Sequence, residues 1–83
     1  MPDNSTKANL IANRFWVGGS GNWSDATNHW AVTSGGSPGA SNLPDSTTNA
    51  IFDANSGNAT YTVTINASSC VCKSMVIIVG VYF

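Results

Sequence analysis

Charge is what this chain has least of. Only 8% of its residues are Asp, Glu, Lys or Arg, and glutamate is absent altogether. A typical soluble domain carries about 25%. Three basic residues and a formal net charge of −1 leave no basic patch for a nucleic-acid backbone, so nucleic acid is not an expected partner. No apolar run reaches the roughly 18–20 residues a membrane helix needs, so no membrane span is expected. Residues 1–13, MPDNSTKANLIAN, lack the apolar core of a signal peptide, which makes conventional secretion less apt than release by lysis or packaging in a particle. No segment shows the apolar spacing of a substantial helix. There is also too little chain for more than one domain: 83 residues bury only about 60–65% of their unfolded surface.

Catalytic and metal-binding residues are equally scarce. His29 is the only histidine. It follows Ser24 and Asp25 at a spacing that serves no known mechanism, and a surface or turn-bonding role is the expectation. Asp3, Asp25, Asp45 and Asp53 are the only acids, set in turn-like sequence on a chain too small for the cleft a glycosidase pair needs. Asp53-x-Asn55-x-Gly57 partly matches a calcium loop. Its glycine is one place early and the distal glutamate is missing, so capping of its own turn is the better reading. Cys70 and Cys72 share one face of an extended chain, near the limit of disulfide geometry. With a single histidine they cannot complete a four-ligand zinc site within one chain. Reduced, buried thiols are expected, with an interchain bridge or metal as the alternative. Asn-x-Ser/Thr triplets begin at Asn4, Asn22, Asn58 and Asn66, as chance produces in Asn- and Ser/Thr-rich sequence. No enzyme activity and no cofactor are expected.

What the chain does have is aromatic residues, asparagine, serine, threonine and glycine. All three tryptophans, Trp16, Trp23 and Trp30, fall in Phe15–Trp30, FWVGGSGNWSDATNHW. Their spacing of seven looks helical, but the intervening Gly18, Gly19, Gly21, Asn22, Asp25 and Asn28 favour turns, and each glycine costs a helix about 1 kcal/mol. Strand, glycine turn and strand is the better reading, with the indoles gathered in a β core. The alternative role for Trp16, Trp23 and Trp30 is an exposed platform for glycan contact.

Taken in order, residues 1–13 read as an N-terminal arm and 14–83 as a single β domain. Arg14–Gly18 is the first expected strand and Gly18–Asn22 breaks it. Asn28–Thr33 is the second, with Trp30 and Val32 on one face. Ser34–Pro44, with two prolines and three glycines, is a long loop. Asn49–Asp53 is a short strand and Ala54–Asn58 a turn. Ala59–Asn66 alternates strictly, with Tyr61, Val63 and Ile65 on one face, and is the clearest strand of all. Cys70–Val79 is a last strand or pair of strands. The β-prone apolar run Met75–Phe83 must be buried on both faces or paired with a neighbour. Phe15, Trp16, Trp23, Trp30 and Phe52 with Tyr61, Val63 and Ile65 make the expected core. Val76, Ile77, Ile78, Val79, Val81, Tyr82 and Phe83 make the expected assembly strand. No repeat of solenoid length is visible, so at most a cap or first coil is expected.

The residues from Phe15 through Trp30, then Leu43–Ser46, Ala50–Ser56, Tyr61–Asn66 and Ser69–Met75, resemble a known module. It is the N-terminal, Trp/Gly-rich module of many bacteriophage structural and fibre-like proteins, and it also opens the β-solenoid regions of secreted bacterial adhesins. The W-x-G-G-x-G-x-W…N-x-W portion carries the specificity, and the likeness covers about residues 15–75. Together with the composition, the resemblance implies an all-β chain, a small antiparallel sandwich or a solenoid cap with long loops. It implies a non-enzymatic virion protein, in capsid decoration or in a fibre or tail, working by self-assembly and docking. Its partners would be copies of itself, trimers by analogy with fibres, and other virion proteins. A carbohydrate-binding adhesin module at a bacterial surface, reading host glycan, is the alternative.

Overall fold

The computed structural model describes residues 12–78. It is built mostly of strands. β1 (Ala12–Trp16), β2 (Gly21–Asn22), β3 (Trp30–Ala31), β4 (Thr48–Phe52), β5 (Val63–Thr64) and β6 (Ser74–Ile77) are joined by long connections. Among the described residues helix is limited to one α-helical turn, α1 (Ala26–His29), and a 3-10 turn at Ala40–Asn42. No helix among the described residues is long and apolar enough to cross a membrane.

Two sheets form. The larger has the order β3-β1-β4-β6, and the smaller pairs β2 with β5. The expected antiparallel architecture is corrected here. Only β1 and β3 pair antiparallel; β1–β4, β4–β6 and β2–β5 are all parallel. The reason lies in the connections. Antiparallel neighbours are joined by tight hairpins, whereas parallel neighbours need a long crossover. Here each crossover passes through the second sheet: β1 leads to β2, then to β3 at the edge of the larger sheet, before the chain comes back as β4, and β4 leads to β5 before it returns as β6.

The traverses themselves stack. Gly19 N–H donates to Ser56 O at 2.9 Å, Gly21 N–H to Thr62 O at 3.0 Å and Trp23 N–H to Thr64 O at 2.8 Å. Side chains extend the match: Thr62 N–H donates to Ser20 Oγ at 3.0 Å, and Asn66 Nδ2 to Ser24 Oγ at 2.8 Å. In the larger sheet Asn13 and Asn49 are register partners, and Asn49 Nδ2 donates to Asn13 Oδ1 at 3.1 Å.

Several boundaries differ from the sequence expectation. β1 starts at Ala12, so Ala12 and Asn13 belong to the sheet and not to an arm. Within the expected break at Gly18–Asn22, Gly21 and Asn22 form β2. Of Ala59–Asn66, only Val63–Thr64 is strand. Its partner segment is glycine-rich and turns at Gly18 and Gly19, with φ of 87° and 73°, so little straight backbone is on offer. Val32 does not share the buried face of Trp30. It is 56% exposed, because the chain leaves β3 after Ala31 for a turn closed by Gly36 N–H to Thr33 O.

The core is aromatic. Trp16, Trp23, Trp30 and Phe52 cluster with Ala26 and Ala50. Trp16 and Trp30 meet edge to face at 5.1 Å and 81°, and Trp23 meets Trp30 at 4.9 Å and 64°. Such pairs add about 0.5–1.5 kcal/mol each beyond area burial. Tyr61 and Val63 pack against the cluster half-buried. Ile65 does not join it, being 59% exposed, and Phe15 is only half-buried.

Candidate functional site

His29 is buried, not at the surface as its sequence context suggests. Its ring stacks on Trp16 at 4.3 Å with an interplanar angle of 3°. Nδ1 lies 2.7 Å from Val17 O, which requires the proton on Nδ1 as donor. Gly18 and Gly21 make room for this ring, since a Cβ at either would collide with it. No carboxylate is hydrogen-bonded to the imidazole among the described residues. The ring packs between Trp16 and the glycine turn.

The aspartates organise turns. Asp45 Oδ1 accepts from Thr47 N–H at 2.8 Å and from the Thr47 hydroxyl at 2.6 Å. These bonds hold its carboxyl below the usual range, the hydroxyl bond first and the backbone bond second. Asp53 accepts from Asn55 N–H at 3.0 Å and from the Ser34 hydroxyl at 2.7 Å, tying the long loop to the turn after β4. Ser56, fully buried, closes that turn by accepting from Asp53 N–H at 2.9 Å. Asp25 accepts from Asn28 Nδ2 across α1. Among the described residues no group of three or more His, Cys, Asp or Glu side chains is placed to hold a metal ion. Cys70 and Cys72 are free thiols, half-buried against the aromatic core and not fully buried as expected.

The tryptophans sit at the centre, with Trp16 and Trp30 wholly buried and Trp23 2% exposed. Trp16 Nε1 donates to Gly19 O at 2.7 Å and Trp30 Nε1 to Trp23 O at 2.8 Å. Trp23 Nε1 is buried with no hydrogen-bond partner among the described residues. Burying such a donor unpaired costs about 1–3 kcal/mol, so an acceptor beside it would be stabilising.

One surface is unfinished. An apolar groove of about 350 Å³ opens between the two sheets. Phe52, Met75 and Ile77 line it from the larger sheet, Tyr61, Val63 and Ile65 from the segment around β5, and Trp23 completes it. Beside it runs β6, at the edge of the larger sheet and exposed along its whole length. Met75 is 52% exposed, Ile77 65% and Ile78 55%. Burial on both faces, expected for this run, is not what these residues have. β6 has β4 on one side and no strand on the other among the described residues. Of the expected assembly strand, Val76, Ile77 and Ile78 are thus exposed, while Val79, Val81, Tyr82 and Phe83 lie outside the described residues. The opposite edge is blunted. Trp30 O on β3 accepts from Gly39 N–H at 3.0 Å and from Asn42 Nδ2 at 3.2 Å, which uses the outward-facing carbonyl.

Sequence reasoning marked the apolar C-terminal strand but not the groove. The groove exists because two traverses of unequal length stack in parallel, and no local pattern carries that. A second, polar cleft, lined by Gly18, Gly19, Asn55, Gly57 and Asn58, has no charged side chain in its lining. Comparison with protein-family models, with curated proteins and with solved structures found no match.

Proposed function

We propose that this chain is a non-enzymatic structural module of a bacteriophage particle, working as the closed first end of a β-solenoid. What supports the reading is the repeated parallel register: β1, β4 and β6 stack in one sheet, β2 and β5 in the other, and the intervening traverses lie on each other. A sandwich of hairpins would not stack this way, because hairpins pair neighbours antiparallel. Among the described residues the β3 edge is capped and the β6 end is open and apolar, the polarity of a cap that further β structure extends. The particle assignment comes from the resemblance of residues 15–75 to the phage module.

Activity through assembly agrees with aspartates bound into turns and a histidine packed on Trp16. A sugar-reading platform needs an exposed ring face, and Trp16, Trp23 and Trp30 offer none, so the adhesin alternative gains no support at these positions. Mass spectrometry of particles purified on a density gradient tests the proposal. Peptides of this chain should co-sediment with the particles and withstand a salt wash. Peptides confined to the soluble lysate would overturn it.

A further inference from the structure

We propose that Cys70 and Cys72 form an intrachain site for one soft monovalent metal ion of the copper(I) class, held between the two thiolates. The site is independent of the virion reading. It stands on where the two side chains lie and on what surrounds them. Burial alternates along the segment: Cys70 and Cys72 are half-buried, and Val71 between them is 44% exposed. Both cysteines pack against the same aromatic cluster, which holds Trp16, Trp23, Trp30 and Phe52. The two thiols thus leave the chain on one side, as residues two apart on an extended backbone do. The ends of the segment are pinned. Cys70 N–H donates to Ala67 O at 3.1 Å, and Lys73 N–H donates to Thr48 O at 2.6 Å. The fold, and not the thiols, sets the span between them.

That span suits an ion better than a bond. Two residues of extended chain cover about 6.8 Å, at roughly 3.4 Å per residue. Cβ atoms that leave such a backbone side by side are about as far apart, whereas a disulfide needs them within about 3.5–4.5 Å. A metal between two thiolates relaxes the demand. At about 2.3 Å per metal–sulfur bond, the value for zinc, the sulfurs stand up to about 4.6 Å apart, and a lean of about 1 Å by each side chain closes the bridge.

The ligand count selects the ion. Among the described residues no third His, Cys, Asp or Glu joins the pair. Zinc and calcium take about four to eight ligands, which two sulfurs cannot supply. Thiolates are soft and select copper(I), which accepts two of them in line. The aromatic cluster behind the sulfurs limits the access of water as a further ligand. On binding, each thiol releases its proton to solvent and its sulfur lone pair forms the metal–sulfur bond. One copper(I) replaces two protons, no oxidation state changes, and the complex carries a single net negative charge. Lys73, the next residue, brings a cation close in sequence to offset it. The Cys70 thiol donates to Asn66 Oδ1 at 3.7 Å, a weak bond that is given up with the proton.

The test is native mass spectrometry of the full chain, reduced and kept free of oxygen, after loading with copper(I) in the presence of bicinchoninate as a competing chelator. The expected result is one copper per chain, retained against the chelator, with two protons lost. Losing a mere supporting partner costs a metal site about 10–100-fold in affinity, so Cys70→Ser and Cys72→Ser, each short of a ligand, are expected to bind about 100-fold more weakly or worse. Circular dichroism checks that the variants fold. Alkylation of the wild type by iodoacetamide, mapped by peptide, gives a reading that needs no variant: copper should protect both cysteines. A wild type that yields its copper to the chelator overturns the proposal. One copper per two chains, undiminished binding in either folded variant, equal retention of zinc, or labelling of either cysteine in the loaded chain overturns it as well.

Discussion

The His29 ring sets the tolerance of its neighbours. Gly21 lies so close to it that a Cβ would overlap Nε2, Cδ2 and Cε1. Gly21→Ala is expected to cost about 1–3 kcal/mol, the range for forcing atoms into a packed site, read as a drop in the urea midpoint. Gly19→Ala is the contrast. It has open space around the new methyl but a φ of 73°, so its cost is the backbone term alone, about 1–2 kcal/mol. Combining Gly21→Ala with His29→Ala should recover most of the Gly21 loss if ring contact is the cause, and none of it if the backbone is. Asp45 supplies a pH dependence. Its folded-state pKa is lowered by the Thr47 hydroxyl and N–H bonds, so its contribution is present above the unfolded pKa of about 3.9 and is lost as pH falls through the lower folded value. The stability gap between wild type and Asp45→Asn is therefore expected to be widest near neutral pH and to close in acid, as measured by urea melts across that range.

Strand length is where sequence and structure part. The alternation of Ala59–Asn66 is real, yet only Val63–Thr64 is strand, because a strand is only as long as the partner that receives it. That partner is Gly21–Asn22, and glycine turns precede it. The predominance of strands and the lack of substantial helix were legible, since β-branched and aromatic residues between glycine and asparagine turns leave few alternatives. The pairing direction was not. It depends on how far each connection travels before returning, and composition does not encode distance. The groove was hidden for the same reason: Phe52, Val63 and Met75 are far apart in sequence and meet only through the stacking. Thr48 illustrates a cost written at this scale. It is buried at the head of β4, and its Oγ1 accepts from Asp45 N–H at 2.8 Å. Thr48→Val keeps the shape and orphans that donor, so a loss of about 1–3 kcal/mol is expected in denaturant unfolding.

In the molecule as a whole, two passes through the same pair of sheets stack in parallel and are closed at β3. Aromatic burial fits this arrangement without depending on it: an indole cluster would form the core of a hairpin sandwich equally well. Exposure of β6 depends on it directly, because the strand occupies the last place in the stack. Parallel register is thus the claim to test. In the parallel arrangement Asn49 and Ser74 are register partners on adjacent strands, neither of them in the aromatic cluster. Adjacent strands lie about 4.8 Å apart, within the Cα separation of a disulfide. On a Cys70→Ser, Cys72→Ser background, Asn49→Cys with Ser74→Cys is predicted to form an intrachain disulfide under mild oxidation. Asp53→Cys with Ser74→Cys, at opposite ends of the parallel pair, is predicted not to. The reverse outcome, a bridge from position 53 and none from position 49, would mean that β4 and β6 run antiparallel, and the stacked-pass account would be wrong.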